Sequence, residues 1–341
     1  MSRTNDDSNL ILKINKIVEE ELPEFASRFF KHHKGQMTTK SLYGYAMDLS
    51  SFFGYLQWDL WTDLNMRKMS LRELNQISPD IIENYLAHSG TYTLNGVEKE
   101  RSLSSLARRY SVLSSFFNYY YLLDQIDNNP VSKVARPKPF INRTPIPSNE
   151  TNFKMLDIVS NGDLGGNKSR YQKHTKERDL AILLLILGAG INPGDVVKLN
   201  IDDLHLDENF ITVRKRNKQR TVFVSDTISQ AISRYLEKRL TVMPFNGDEA
   251  ALFLSLQCKR ICVRSIENMV KKYSSAMYEG KDHLTPYALK MSFRNNVFGS
   301  TMDAKITSTA AGNANKTVLL RYRAMIDEYA CQKGREFSAD L

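Results

Sequence analysis

Apolar residues recur at helical spacing along most of this chain. Leu10, Ile11, Ile14, Ile17 and Val18 make the first stripe. A second follows Met37-Thr38-Thr39-Lys40-Ser41, where Thr38 or Thr39 suits an N-cap, and runs through Leu42, Tyr45, Ala46, Leu49, Phe52, Phe53 and Leu56. Ser78-Pro79 repeats the start signal, with serine as cap and proline at the first helical position. Ser102 opens a helix whose apolar positions are Leu103, Leu106, Tyr110, Leu113, Phe116, Phe117 and Tyr120. Between these two, residues 91–101 read as a polar connection with Asn95-Gly96 as a turn. No strand signal appears before Pro130, so residues 1–136 predict a small domain of about four helices with an aromatic core.

Pro137, Pro139, Pro145 and Pro147 then interrupt the pattern. Proline at this density cannot continue a helix and stiffens a connection, so 137–148 reads as a linker and 149–341 as a second domain. Its densest stretch is Arg178 to Val224. An apolar run, Leu180 to Leu187, suits a buried helix. Gly188-Ala189-Gly190 makes a small-residue turn, a short helix follows near Asp195–Leu199, and a β-hairpin turns at Lys215-Arg216-Asn217-Lys218. Between Val213 and Val224 lie Arg214, Lys215, Arg216, Lys218 and Arg220, and no acid. A tip this basic suits a phosphate backbone. Leu252–Leu254 reads as a short strand. Helices are expected over 263–278, from Leu284-Thr285-Pro286 onward, and over 304–311, 315–321 and 324–331.

Net charge adds direction. The formal charge is +9 over 341 residues, which favours a polyanionic partner. No apolar run reaches the ~18–20 residues of a membrane span, and the N-terminus carries no apolar signal region. A cytoplasmic protein without membrane contact is expected. Cys258, Cys262 and Cys331 lack the spacing of a zinc site, so no metal or cofactor is expected.

The order of several blocks is more informative than any one of them. These are Thr38 to Tyr45 with Asp48-Leu49 and Phe52-Phe53; Arg101 to Tyr120 with Asn128-Asn129-Pro130 and Arg136-Pro137; Arg178-Asp179-Leu180, Gly188 to Ile191 and Asp202-Asp203; Lys215 to Arg220; Leu284-Thr285-Pro286; and Ala311-Gly312 through Arg321-Tyr322. Together they resemble the tyrosine recombinase (phage integrase) family over nearly the whole chain. The resemblance implies a mainly α fold with a small β-sheet or hairpin, built as a helical, SAM-like core-binding domain and a catalytic-type domain.

In that family a tyrosine attacks a DNA phosphodiester. Paired arginines clamp the non-bridging oxygens, while a histidine and a lysine move protons. By resemblance, the first arginine position holds Asn192, the hairpin lysine is Lys215, and the His-x-x-Arg helix reads Tyr287 to Lys290. The later Gly-His reads Gly312-Asn313, and the nucleophile position is Tyr322. Both arginines and both histidines are therefore replaced. Each lost oxyanion donor costs roughly 10²–10³ in rate, so loss of recombinase activity is expected.

The same resemblance implies that helices starting near Lys40 and Arg101 enter the major groove. Lys40, Tyr43, Arg101, Arg108, Arg109, Lys215, Arg216, Lys218, Arg220, Lys290 and Arg294 are the DNA-binding candidates. The loss pattern is similar to that of recombinase-fold master repressors of SPβ-type prophages, implying a site-specific repressor and lysogeny regulator on the bacterial nucleoid. Two rivals stand beside it: a divergent integrase using Tyr322 with Lys215 and Lys290, and an accessory architectural protein. Double-stranded DNA is the expected partner. Met325, Ile326, Tyr329 and Ala330 in the tail offer self-association, and an antirepressor or a partner recombinase belongs to the regulatory readings.

Overall fold

The computed structural model describes residues 2–138, 146–162, 164, 168–215, 218–277, 283–310 and 312, the side chains of 2–7, 168–171, 215, 218, 304 and 308 excepted. The chain divides into two compact units, Met1–Asn142 and Arg143–Leu341.

The first unit contains α1 (Ser2–Glu20), α2 (Ala26–His33), α3 (Thr39–Tyr55), α4 (Leu71–Asn75), α5 (Pro79–His88) and α6 (Leu103–Tyr121). Side-chain caps set the starts of the longer ones. Thr38 Oγ1 accepts from Ser41 N, Ser78 Oγ from Ile81 N and Ser102 Oγ from Ser105 N. Each satisfies one of the backbone donors that a helix start leaves free. Phe116 stands at the centre of the core, with Phe25, Phe29, Phe53, Phe117 and Tyr120 around its ring. Such tilted and edge-on aromatic pairs each contribute ~0.5–1.5 kcal/mol beyond the area they bury.

Two features correct the sequence expectation for this unit. Residues 91–101 are not a plain connection: β1 (Thr91–Leu94) and β2 (Val97–Glu100) form an antiparallel hairpin. Asn95 (φ 53°) and Gly96 (φ 76°) make its turn, the left-handed pair that suits right-twisted strands. Almost every residue of the hairpin is exposed, so no apolar alternation marks it. The helix count of about four omits α2 and α4, whose eight and five residues are too short for a long periodic stripe. A Ser70–Glu73 capping box starts α4.

The second unit contains α7 (Asn149–Asn161), α8 (Lys168–Gly188), α9 (Pro193–Val196), a three-stranded antiparallel sheet of β3 (Leu204–His205), β4 (Phe210–Lys215) and β5 (Lys218–Phe223), then α10 (Asp226–Leu240), α11 (Val263–Ser275), α12 (Pro286–Thr301) and α13 (Ala304–Ala310). The apolar run predicted as a buried helix forms the end of α8, where Ala181, Ile182, Leu183, Leu185 and Ile186 are fully buried. Leu252–Leu254 is not a strand. Its backbone makes single bonds to separate segments: Leu252 N donates to Leu199 O and Phe253 O accepts from Ile261 N, while Tyr235 Oη donates to Leu252 O and accepts from Leu254 N. The helices expected over 315–331 lie outside the described residues. No helix among the described residues is long and apolar enough to cross a membrane.

Candidate nucleic-acid interface

Residues far apart in sequence meet where α8 ends. The turn after α8 places Gly190 at φ 61°, and a Cβ there would lie 2.3 Å from the ring of Phe293 on α12. Only glycine gives both the left-handed backbone and this approach. The approach brings Asn192, just before α9, to Lys290 on α12. Lys290 Nζ donates to Asn192 Oδ1 at 2.7 Å, and Asn192 Nδ2 donates to Asp195 Oδ2 at 3.1 Å. Lys290 is 1% exposed. Its helix is fixed at the start by Thr285, whose Oγ1 accepts from Ala288 N, and by Pro286 at the first position.

Arg220 on β5 closes a second side of this cluster. Its guanidinium packs against Gly312, where φ is 66° and a Cβ would lie 2.7 Å from Cζ. Burial pulls the Arg220 guanidinium below its ordinary pKa, and the Asp195 carboxylate partly offsets this. Arg220 Nη2 is buried with no hydrogen-bond partner among the described residues.

The other candidates fall into three groups. Lys290, Arg294 (3% exposed) and Arg109 (8% exposed) are interior residues. Arg109 lies on the core side of α6, where it donates to Ser51 Oγ at 2.8 Å and to Tyr85 Oη at 2.5 Å. Arg294 lies against Met291 Sδ. A cation on a helical stripe can face either way, and the partner's position decides which.

Lys40 is exposed on the first turn of α3, and Tyr43 is half-buried against the core. Arg101 packs over the Tyr92 ring at 4.7 Å. Arg108 keeps a side chain 53% exposed while pairing with Asp48. Tyr287 is 49% exposed on the first turn of α12.

The hairpin pairs Lys215 with Lys218 and Val213 with Arg220 across β4 and β5. Arg214 is drawn back to Asp203 at 2.8 Å. Arg216, Asn313 and Tyr322 lie outside the described residues, as do the side chains of Lys215 and Lys218.

Two acids were missed as candidates. Asp195 joins Asn192 and faces Arg220, and Asp48 holds Arg108. The available signal was an acid within an otherwise apolar stripe of α3. Burial pushes the Asp48 carboxyl above the ordinary carboxylate range, offset in part by Arg108 and then Arg109. The raised pKa means that the fold binds this proton more tightly than the unfolded chain does. Stability from this group therefore falls as pH rises from the unfolded towards the folded pKa, and is regained on acidification.

Asn192→Ala removes one acceptor of a buried ammonium. It is expected to cost about 1.5–3 kcal/mol, the range for hydrogen bonds to charged groups, measured as a shift in denaturant midpoint of the second unit's transition.

Residues 166–328 match the model of the phage integrase family. The tyrosine recombinase XerC of Caldanaerobacter subterraneus subsp. tengcongensis is 30% identical over 278 residues, covering 80% of this chain and 72% of the relative. The tyrosine recombinase XerS of Lactococcus lactis subsp. cremoris is 27% identical, covering 84% and 87%. Among solved structures, the XerH site-specific recombinase bound to palindromic difH substrate superposes with a TM-score of 0.63 at 15% identity, covering 95% of each chain. The Tn1549 transposon integrase in complex with transposon right end DNA gives 0.64 at 15% identity, covering 89% of this chain and 98% of the other.

Proposed function

This chain belongs to the tyrosine recombinase (phage integrase) family, and from that premise we propose that it binds a specific site in double-stranded DNA without cutting it, as a transcriptional repressor. The observation that carries this reading is the Lys290–Asn192 pair. At these two positions the family's resemblance calls for guanidinium forks that grip a phosphoryl oxygen bidentately. An amide has no charge, and an ammonium has no planar fork. Here the ammonium is also enclosed and bonded to the amide. Losses at one catalytic unit do not add, but a single missing oxyanion donor already costs roughly 10²–10³ in rate. Occupancy without strand exchange is what a repressor needs.

The two relatives named above are recombinases, which favours the competing reading of residual cleavage through Tyr322. A nicked suicide duplex separates the two. The expected result is retention of the duplex with no covalent protein–DNA adduct. An adduct that disappears in Tyr322→Phe would overturn the non-cleaving reading. Silencing of a reporter by this protein alone is the expected outcome for a repressor. Dependence on a co-expressed recombinase would assign it an accessory role instead.

A further inference from the structure

A groove of about 300 Å³ opens between α3 and α6 in the first unit. Ser104, Ala107, Arg108 and Ser111 line it from one face of α6, Tyr45 from α3, and Arg136 from beyond. Arg136 Nη2 donates to Ser111 Oγ at 3.1 Å. Arg108 reaches across to α3. Its Nη2 donates to Asp48 Oδ1 at 2.9 Å, and its Nη1 lies 2.5 Å from Asp48 Oδ2. Gly44, one turn before Asp48, leaves the space the guanidinium occupies, since a Cβ there would lie 3.3 Å from Arg108 Nη1. The result is two guanidiniums at one groove, each tethered from a single side, with hydroxyls between them.

We propose that this groove is a binding site for one backbone phosphate, with Arg108 and Arg136 as its ligands and Asp48 and Gly44 as the positioning residues that hold Arg108 in place. The inference rests on the DNA-binding reading above and adds the site, its chemistry and its two silent members. Asp48 is 3% exposed, so it touches no partner and acts only through Arg108 and the neighbouring Arg109. An arginine held at one edge loses less rotational freedom when its other donors meet an anion. Phosphate is favoured over a base edge because the two charged groups at the groove are both guanidiniums, which only donate.

The test uses the full chain and a labelled random-sequence duplex of about 30 base pairs, titrated across a range of salt concentrations. Arg108→Ala and Arg136→Ala are each expected to weaken binding about fivefold at ~0.15 M salt and to lower the salt slope by about one. Asp48→Asn decides whether positioning matters. It raises net charge by one, so a purely electrostatic account predicts tighter binding, whereas the proposal predicts weaker binding. Far-ultraviolet circular dichroism and the thermal midpoint of each variant check that it is folded. Unchanged or tighter binding in folded Asp48→Asn would overturn the positioning role. If the unaltered protein fails to bind the duplex at all, the DNA-binding reading itself falls.

Discussion

Alanine at Lys215, Arg216 and Lys218 together is expected to lower affinity for duplex DNA by roughly 100-fold at ~0.15 M salt. The estimate follows from counterion release. Each cation that neutralises a phosphate of B-DNA contributes ~0.9 to the slope of log affinity against log salt. Three cations therefore contribute about 2.7, which at ~0.15 M is about two decades. The register supports the choice of residues. Lys215 and Lys218 are the terminal pair of the β4–β5 ladder, and Arg216 stands between them in the sequence. Arg214, one pair back, is bonded to Asp203 but keeps a side chain 54% exposed, so Arg214→Ala should lower the slope by about one more. Fluorescence anisotropy across a salt series checks both. A triple variant with the slope of the unaltered protein would remove the hairpin from the interface.

Asp179→Ala is expected to destabilise the second unit by about 3–5 kcal/mol, the range for breaking a buried ion pair from one side. Asp179 is fully buried at the middle of α8. Its Oδ1 accepts from Arg178 Nε at 3.0 Å and Nη2 at 2.7 Å. Its Oδ2 accepts from Tyr273 Oη at 2.8 Å and Thr175 Oγ1 at 3.1 Å, with Lys272 Nζ at 3.4 Å. Burial, and then the carboxylate, push the Tyr273 phenol far above its ordinary range, so Tyr273 remains a donor at any working pH. Alanine removes the acceptor common to α8 and α11 and leaves the cations beside a void. Asp179→Asn keeps an oxygen for Tyr273 but not the charge, and should fall between the two. Denaturant unfolding followed on the second unit's transition measures the difference. A loss below 1 kcal/mol for alanine would show that Arg178 and Lys272 find other partners.

Much of this architecture was legible along the chain because it rests on local rules. The sequence places helix starts at Thr38 or Thr39, Ser78 and Ser102, and in the structure Thr38, Ser78 and Ser102 cap those helices. The Leu180–Leu187 run is the buried end of α8, and the hairpin lies where its basic tip pointed. The failures share a cause. The β1–β2 hairpin carries no apolar face, so hydrophobic periodicity could not register it, although its Asn95-Gly96 turn was visible. Leu252–Leu254 looks like a strand by composition, but it meets Leu199 and Ile261 through single backbone bonds rather than a ladder and shares its other partners with the Tyr235 side chain, which only packing supplies.

The candidate site divides in the same way. The amino-acid sequence alone determines that asparagine, tyrosine and lysine stand at 192, 287 and 290, because identity at an aligned position needs no coordinates. It also determines the sign and density of charge in the hairpin. Tertiary structure decides which cations are available to a ligand. Arg108 and Arg109 are adjacent in sequence, yet one rims an open groove and the other is enclosed with Tyr85. Lys290 and Arg294 share a helix with the exposed Tyr287 and are both buried. The physical reason is that a helix fixes the angle between neighbouring side chains but not which side meets the core. That choice is made by the acids, amides and glycines of other elements — Asp48 and Gly44 for Arg108, Asn192 for Lys290 — brought close only when the chain is folded.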